Sequence, residues 1–112
     1  MEFVWSRNVD KILQRGIFLR DLGIKNWALS KDDALKALSE LMIAKIPVIG
    51  CDVCEFENGI IQLNYDNWYC EPKKDELKSD FASRTIEMAS SYIENYKSNT
   101  PKSIFFILVP EV

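Results

Sequence analysis

The sequence predicts an α+β fold: a small antiparallel three-stranded sheet in the order 2-1-3, with helices packed on at least one face. Three observations carry this. Apolar residues recur at helical spacing after Ser30. Two extended runs flank Asn58-Gly59. A second helical pattern, from about Asp75 to Lys97, precedes the apolar run Ile104 to Val109. Sequential strands joined by a tight turn pair antiparallel, and a helical crossover returns the last strand to the same sheet. The 112 residues are expected to form a single domain, 1–112.

Residues 8–15 place Val9, Ile12 and Leu13 on one helical face, and Gly16 is a natural stop. Residues 17–29 have apolar content without a clean period and are broken by Gly23, so they read as a turn or irregular segment that buries Trp27. Ser30 is an N-cap, with Asp32 and Asp33 facing the positive end of the helix. Ala34, Leu35, Leu38, Leu41 and Met42 continue that helix until Pro47 closes it. Ile46 to Glu57 and Ile60 to Tyr69 read as a hairpin on a type I′ turn. In the long helix, Leu77, Phe81, Met88 and Tyr92 form one apolar line, and Ala82, Ile86, Ala89, Ile93 and Tyr96 the next. The final strand is apolar on both faces. It therefore needs a cover on its free edge, from the N-terminal segment or from a partner.

Apolar residues at 47% and charged residues at 28% place the chain among ordinary globular domains. The opening residues lack the pattern of a cleaved leader, and the longest apolar run is of strand length, so no membrane partner is expected. Three cysteines leave at least one unpaired, which suits a reducing, cytoplasmic setting. The net charge of −3 is unevenly distributed. Residues 46–71 hold Asp52, Glu55, Glu57, Asp66 and Glu71 with no Lys or Arg, while residues 1–45 carry a net of +2. A basic, aromatic-laced stripe is absent, which argues against nucleic acid.

The pair Cys51-x-x-Cys54 raises the question of thiol or metal chemistry. Alternation along a strand sends the two side chains to opposite faces, and no helix N-terminus follows to lower a thiol pKa. A zinc site needs about four ligands. With no His in the chain, only Cys70 remains. No metal or cofactor is therefore expected, and no enzymatic activity: His-based triads are excluded, and the scattered glycines form no phosphate loop.

The turn sets the expected hairpin faces. Phe56 with Ile61, Cys54 with Leu63 and Asp52 with Tyr65 form the more apolar one. Glu57 with Ile60, Glu55 with Gln62, Val53 with Asn64, Cys51 with Asp66 and Ile49 with Trp68 form the other. Asp52 should then be tied to backbone amides or to Tyr65. The run Tyr65-Asp-Asn-Trp-Tyr-Cys70 has two readings. Dense aromatics beside acids suit a protein-binding hot spot, whereas Trp68 and Tyr69 at a strand end could equally pack under the long helix. The expected partner-binding set is Glu55, Glu57, Asn64, Asp66, Trp68 and Glu71.

The stretches ILQRGIFLRDLGIKNWALSKDDALKALSEL, GCDVCE, NG, LNYDNWYC and SYIENY resemble the immunity protein 40 family of bacterial polymorphic toxin and contact-dependent inhibition systems. The resemblance implies a small cytoplasmic protein that binds and neutralises a cognate toxin domain without catalysing a reaction. It carries over no contact residues. An acidic segment suits a basic toxin, because charge complementarity steers association. The competing reading is a general interaction module or a homodimer that uses the apolar last strand. The oligomeric state is left open.

Overall fold

A computed structural model describes residues 2–112. Helix α1 (Arg7–Leu13) begins at Ser6, whose hydroxyl accepts from Val9 N at 3.1 Å. The Asp10 carboxylate ties down the preceding residues by accepting from Val4 N and Trp5 N at 2.8 and 2.9 Å. Helix α2 (Lys31–Ile43) is capped as expected, with Ser30 Oγ accepting from Asp33 N at 3.2 Å. Helix α3 (Lys78–Asn95) is shorter than the spacing predicts. Leu77 and Met88, assigned to its apolar face, are 67% and 44% exposed. The buried stripe is instead Phe81, Ala82, Thr85, Ile86, Ala89 and Ile93.

The sheet has five strands, and this corrects the three-stranded expectation. They are β1 (Ile17–Phe18), β2 (Trp27–Leu29), β3 (Val48–Glu57), β4 (Ile60–Tyr69) and β5 (Ser103–Pro110), in the order β1-β2-β5-β3-β4 and antiparallel throughout. The expected order of the three long strands, β4-β3-β5, holds within it. The segment read as irregular supplies the two added strands, which are too short to show a period of two. It covers the free edge of β5 through the pairs Ala28–Ile107 and Leu29–Phe106. Asn26, buried beside this edge, donates from Nδ2 to Leu108 O at 2.8 Å and accepts from Trp27 N through Oδ1 at 2.8 Å.

All three α-helices pack on one side of the sheet. The main core there joins Val9, Ile12 and Leu13 to Leu38, Leu41, Val53, Ile93 and Phe106. Thr85 adds a polar joint: its Oγ1 accepts from Val48 N at 3.0 Å and donates to Ala82 O at 3.2 Å, fully buried. On the other side a smaller cluster of Leu19, Ala28, Cys54 and Ile107 is covered only in part, by Ile24 and its strand neighbours.

The hairpin register is as predicted near the turn and shifted beyond it. Glu57, Phe56, Glu55 and Cys54 oppose Ile60, Ile61, Gln62 and Leu63, and Asn58 and Gly59 take φ of 53° and 79°. Further on, Asp52 opposes Asn67 and Cys51 opposes Trp68, in place of Tyr65 and Asp66. Val53 therefore faces a bulge of Asn64, Tyr65 and Asp66, with Tyr65 at φ 70°. Side chains satisfy an amide and a carbonyl of the bulge: Asp66 N donates to Asn64 Oδ1 at 2.9 Å, and Asn67 Nδ2 donates to Tyr65 O at 3.0 Å.

Candidate functional site

The bulge lies against the C-terminal end of α3, and there the acidic residues meet an aromatic one. Tyr96 OH accepts from Asn64 Nδ2 at 2.8 Å and donates to Asp66 Oδ2 at 2.6 Å. Burial and the hydrogen bond to Asp66 raise the Tyr96 pKa, so the phenol keeps its proton at neutral pH. Glu55, on the same face of β3, lines with these three residues a cleft of about 220 Å³, closed by residues 97–100. Glu55 Oε1 stands 3.8 Å from Lys102 Nζ. The acidic segment is therefore not free of cations, as its composition suggested, because Lys102 approaches it from the start of β5.

Three of the six expected residues, Glu55, Asn64 and Asp66, thus share one cleft. Glu57 is exposed at the turn, where it lines a smaller hollow of about 100 Å³ with Glu55, Gln62 and Lys102. Trp68 lies on the helix side but is half-buried, its ring centroid 6.3 Å from Tyr92 and its edge against the main core. Aromatic contacts continue from Tyr92 to Tyr96 at 5.8 Å and on to Phe106 at 5.7 Å. Burial first, then the Cys51 thiol and the Asp66 carboxylate, push the Tyr92 phenol up to about 12. Trp68 also walls a groove of about 600 Å³ with Arg84, Glu87, Met88, Ser91 and Tyr92.

Glu71 sits apart, beyond the far end of β4, with its side chain exposed and its carbonyl accepting from Arg84 Nη2 at 2.9 Å. Arg84 holds this loop to α3. It donates from Nε and Nη2 to the two Glu76 oxygens at 2.8 Å each, and from Nη1 to Cys70 Sγ at 3.1 Å. That fork draws the Glu76 carboxyl down to about 2.

Sequence reasoning missed Tyr96 and Lys102 as parts of this surface. Tyr96 carried a signal, since it follows Tyr92 by four residues on the helical apolar line, but the end of α3 could not be placed over β4 without a register. Tyr69 was also misplaced, and Asp52, though on the expected face with Cys54 and Phe56, has a different partner. Both point to the helix-free side, where Tyr69 OH donates to the Asp52 carboxylate at 3.1 and 3.3 Å, so Tyr69 and not Tyr65 is its partner. Gly50 permits this, because a Cβ there would meet the Tyr69 ring at 2.3 Å.

The cysteines lie as alternation requires, Cys51 in the main core and Cys54 in the smaller cluster opposite. Burial raises both thiols, Cys54 to about 12 and Cys51 further, with the Asp52 carboxylate adding to each. Among the described residues, no three His, Cys, Asp or Glu side chains converge as metal ligands. The cleft instead presents the Glu55 and Asp66 carboxylates, Asp66 held by the neutral Tyr96 phenol, with Lys97 at its wall, and its two carboxylates can accept from a cationic group.

A family model described as immunity protein 40 matches residues 18–110. The chain belongs to the immunity protein 40 family. The match begins at Phe18, the second residue of β1, and runs to the last residue of β5, so β2 to β5 and both longer helices of this immunity protein fall within it. α1 lies outside. No curated protein and no solved structure matches the chain. Proteins of this family are in general not enzymes, and membership implies a protein toxin as partner.

Proposed function

We propose that this immunity protein neutralises a cognate, basic toxin domain by docking the helix-side surface around the β4 bulge onto it. The observation that carries this reading is the cleft that Glu55, Asn64 and Asp66 share, in which the Tyr96 hydroxyl bonds the last two. Two carboxylates at a cleft mouth, with Glu57 beside them, attract a cationic surface over a Debye length and then accept its hydrogen bonds. Tyr96 fixes where Asn64 and Asp66 stand, so less side-chain freedom is lost on binding. The exposed edges of Trp68 and Met88 extend the contact along α3, and Glu71 marks its outer limit. The protein would act in the cytoplasm, beside the toxin it blocks.

The test is binding to the toxin domain encoded next to this protein, by surface plasmon resonance at low and moderate salt. Glu55→Lys with Asp66→Lys should slow association by about tenfold or more and flatten its salt dependence. Association and protection equal to wild type in that variant would remove the surface from consideration.

A further inference from the structure

The helix-free side of the sheet differs from the proposed toxin surface in both chemistry and charge. Phe56, Ile61, Leu63 and Phe105 lie there half-buried, with the Phe56 and Phe105 rings 5.8 Å apart, and Tyr69 beside them is 60% exposed. Among the strand residues that alternate onto this side, Asp52 is the one charged group, and Tyr69 OH bonds both its oxygens. The Leu19–Ile24 segment walls one flank, leaving β5, β3 and β4 open.

We propose that this face is the interface of a homodimer, in which two copies stack sheet on sheet with their helices outward. Charge selects a second copy over the toxin. The chain carries −3, and of its 17 acids only Asp52, held by the Tyr69 hydroxyl, alternates onto this face, so two copies repel less here than across the side that holds Glu55, Glu57 and Asp66. A basic partner would gain little from such a face and more from Glu55, Glu57 and Asp66 on the opposite side. Area sets the strength. Strands of about ten residues rise about 33 Å, and three strands span about 14 Å, giving about 500 Å² per copy or about 1,000 Å² in total. That is the lower bound for a specific interface, so the dimer should be weak, dissociating in the micromolar range. Sheets of this kind stack about 10 Å apart, and the aromatic side chains fill that depth. The dimer leaves both toxin surfaces free, giving a complex of two inhibitors and two toxins.

Sedimentation of the full chain across about 1–200 µM decides the matter, since that range brackets a micromolar dimer. The expected result is a weight-average mass that rises from one chain toward two. Tyr69→Glu should hold it at one chain. Ile61→Lys should do the same, provided its circular dichroism matches wild type. Glu55→Lys with Asp66→Lys should still dimerise, which separates this proposal from the toxin-binding one. A wild-type chain monomeric throughout the range overturns the proposal. So does a dimer that survives Tyr69→Glu and Ile61→Lys. Loss of toxin binding in Tyr69→Glu, with the wild type monomeric, would assign the face to the toxin instead.

Discussion

Replacing Thr85 by valine should loosen the joint that sets α3 over the sheet. The side chains are nearly the same size, so packing is conserved while the hydroxyl is lost. Thr85 Oγ1 is the acceptor for Val48 N, and both residues are fully buried. In the variant that amide has no replacement acceptor and no access to water. Leaving a buried donor unpaired costs about 1–3 kcal/mol, more than the net worth of an ordinary hydrogen bond. At this chain length the entropy of unfolding is about 235 cal/mol/K, so a loss of about 2 kcal/mol lowers the melting temperature by about 8 °C. Thr85→Ser retains the hydroxyl and loses one methyl group, and should cost about 1 kcal/mol. Thermal unfolding by circular dichroism, backed by urea titration, measures both. A Val variant as stable as wild type, or one more stable than the Ser variant, would refute the reasoning. It would mean that β3 begins after Val48 and that α3 sits on the sheet by apolar contact alone.

Gly59→Val adds a β-branched side chain at φ 79° with open space around it, so the cost is conformational, about 1–2 kcal/mol of stability. An unchanged melting temperature would deny the two-residue turn. Native protein at pH 8 should react with a thiol reagent at Cys70 well before Cys51 or Cys54, because burial raises both inner thiols far above that pH. Mass spectrometry showing early labelling of Cys51 or Cys54 would place them outside the core. Glu76 has a folded pKa of about 2 against an ordinary 4.5, so its bond to Arg84 adds stability above pH 4.5 that is lost as pH falls toward 2. The acid-induced fall in melting temperature should therefore be shallower in Arg84→Met, and equal slopes would show the pair to be inconsequential. Trp68→Ala should weaken the fold as well as any toxin contact, by about 2–4 kcal/mol, since the ring packs against Tyr92 and the core. A fully stable variant would return Trp68 to the surface.

Local chemistry made much of the fold legible. Ser30 and the turn at Asn58-Gly59 act on their own neighbours, and both elements formed within two residues of the expected bounds. Legibility failed where distant segments decide. The three-residue strand at Trp27 exists because β5 offers it an edge, and the two-residue strand at Ile17 because β2 then offers the next, not because their own residues prefer extension. Tyr65 at φ 70° carries no marker of a bulge, since neither Gly nor Asn stands there. Missing that bulge moved Asp52 from Tyr69 to Tyr65 and Cys51 from Trp68 to Asp66. The candidate site was legible as a composition, five acids without a cation, but Lys102 and Tyr96 come to it from 47 and 30 residues away, from Glu55 and Asp66 respectively. Leu77 was read into α3, but the chain enters the helix only after the turn at Asp75, φ 63°, and Leu77 is left in solvent.

The bulge opposite Val53 also constrains how the family can vary. It holds three residues where a regular ladder would hold one, an excess of two, and a strand repeats its facing every two residues. A single insertion or deletion there would turn Asp66 and Trp68 to the wrong side, and every residue up to Tyr69 with them. A change of two would alter only how far the loop of Asn64 to Asp66 reaches. Relatives that meet differently shaped toxins could therefore lengthen or trim this part of the strand in pairs, adjusting the mouth of the cleft while the core beneath it stays as it is.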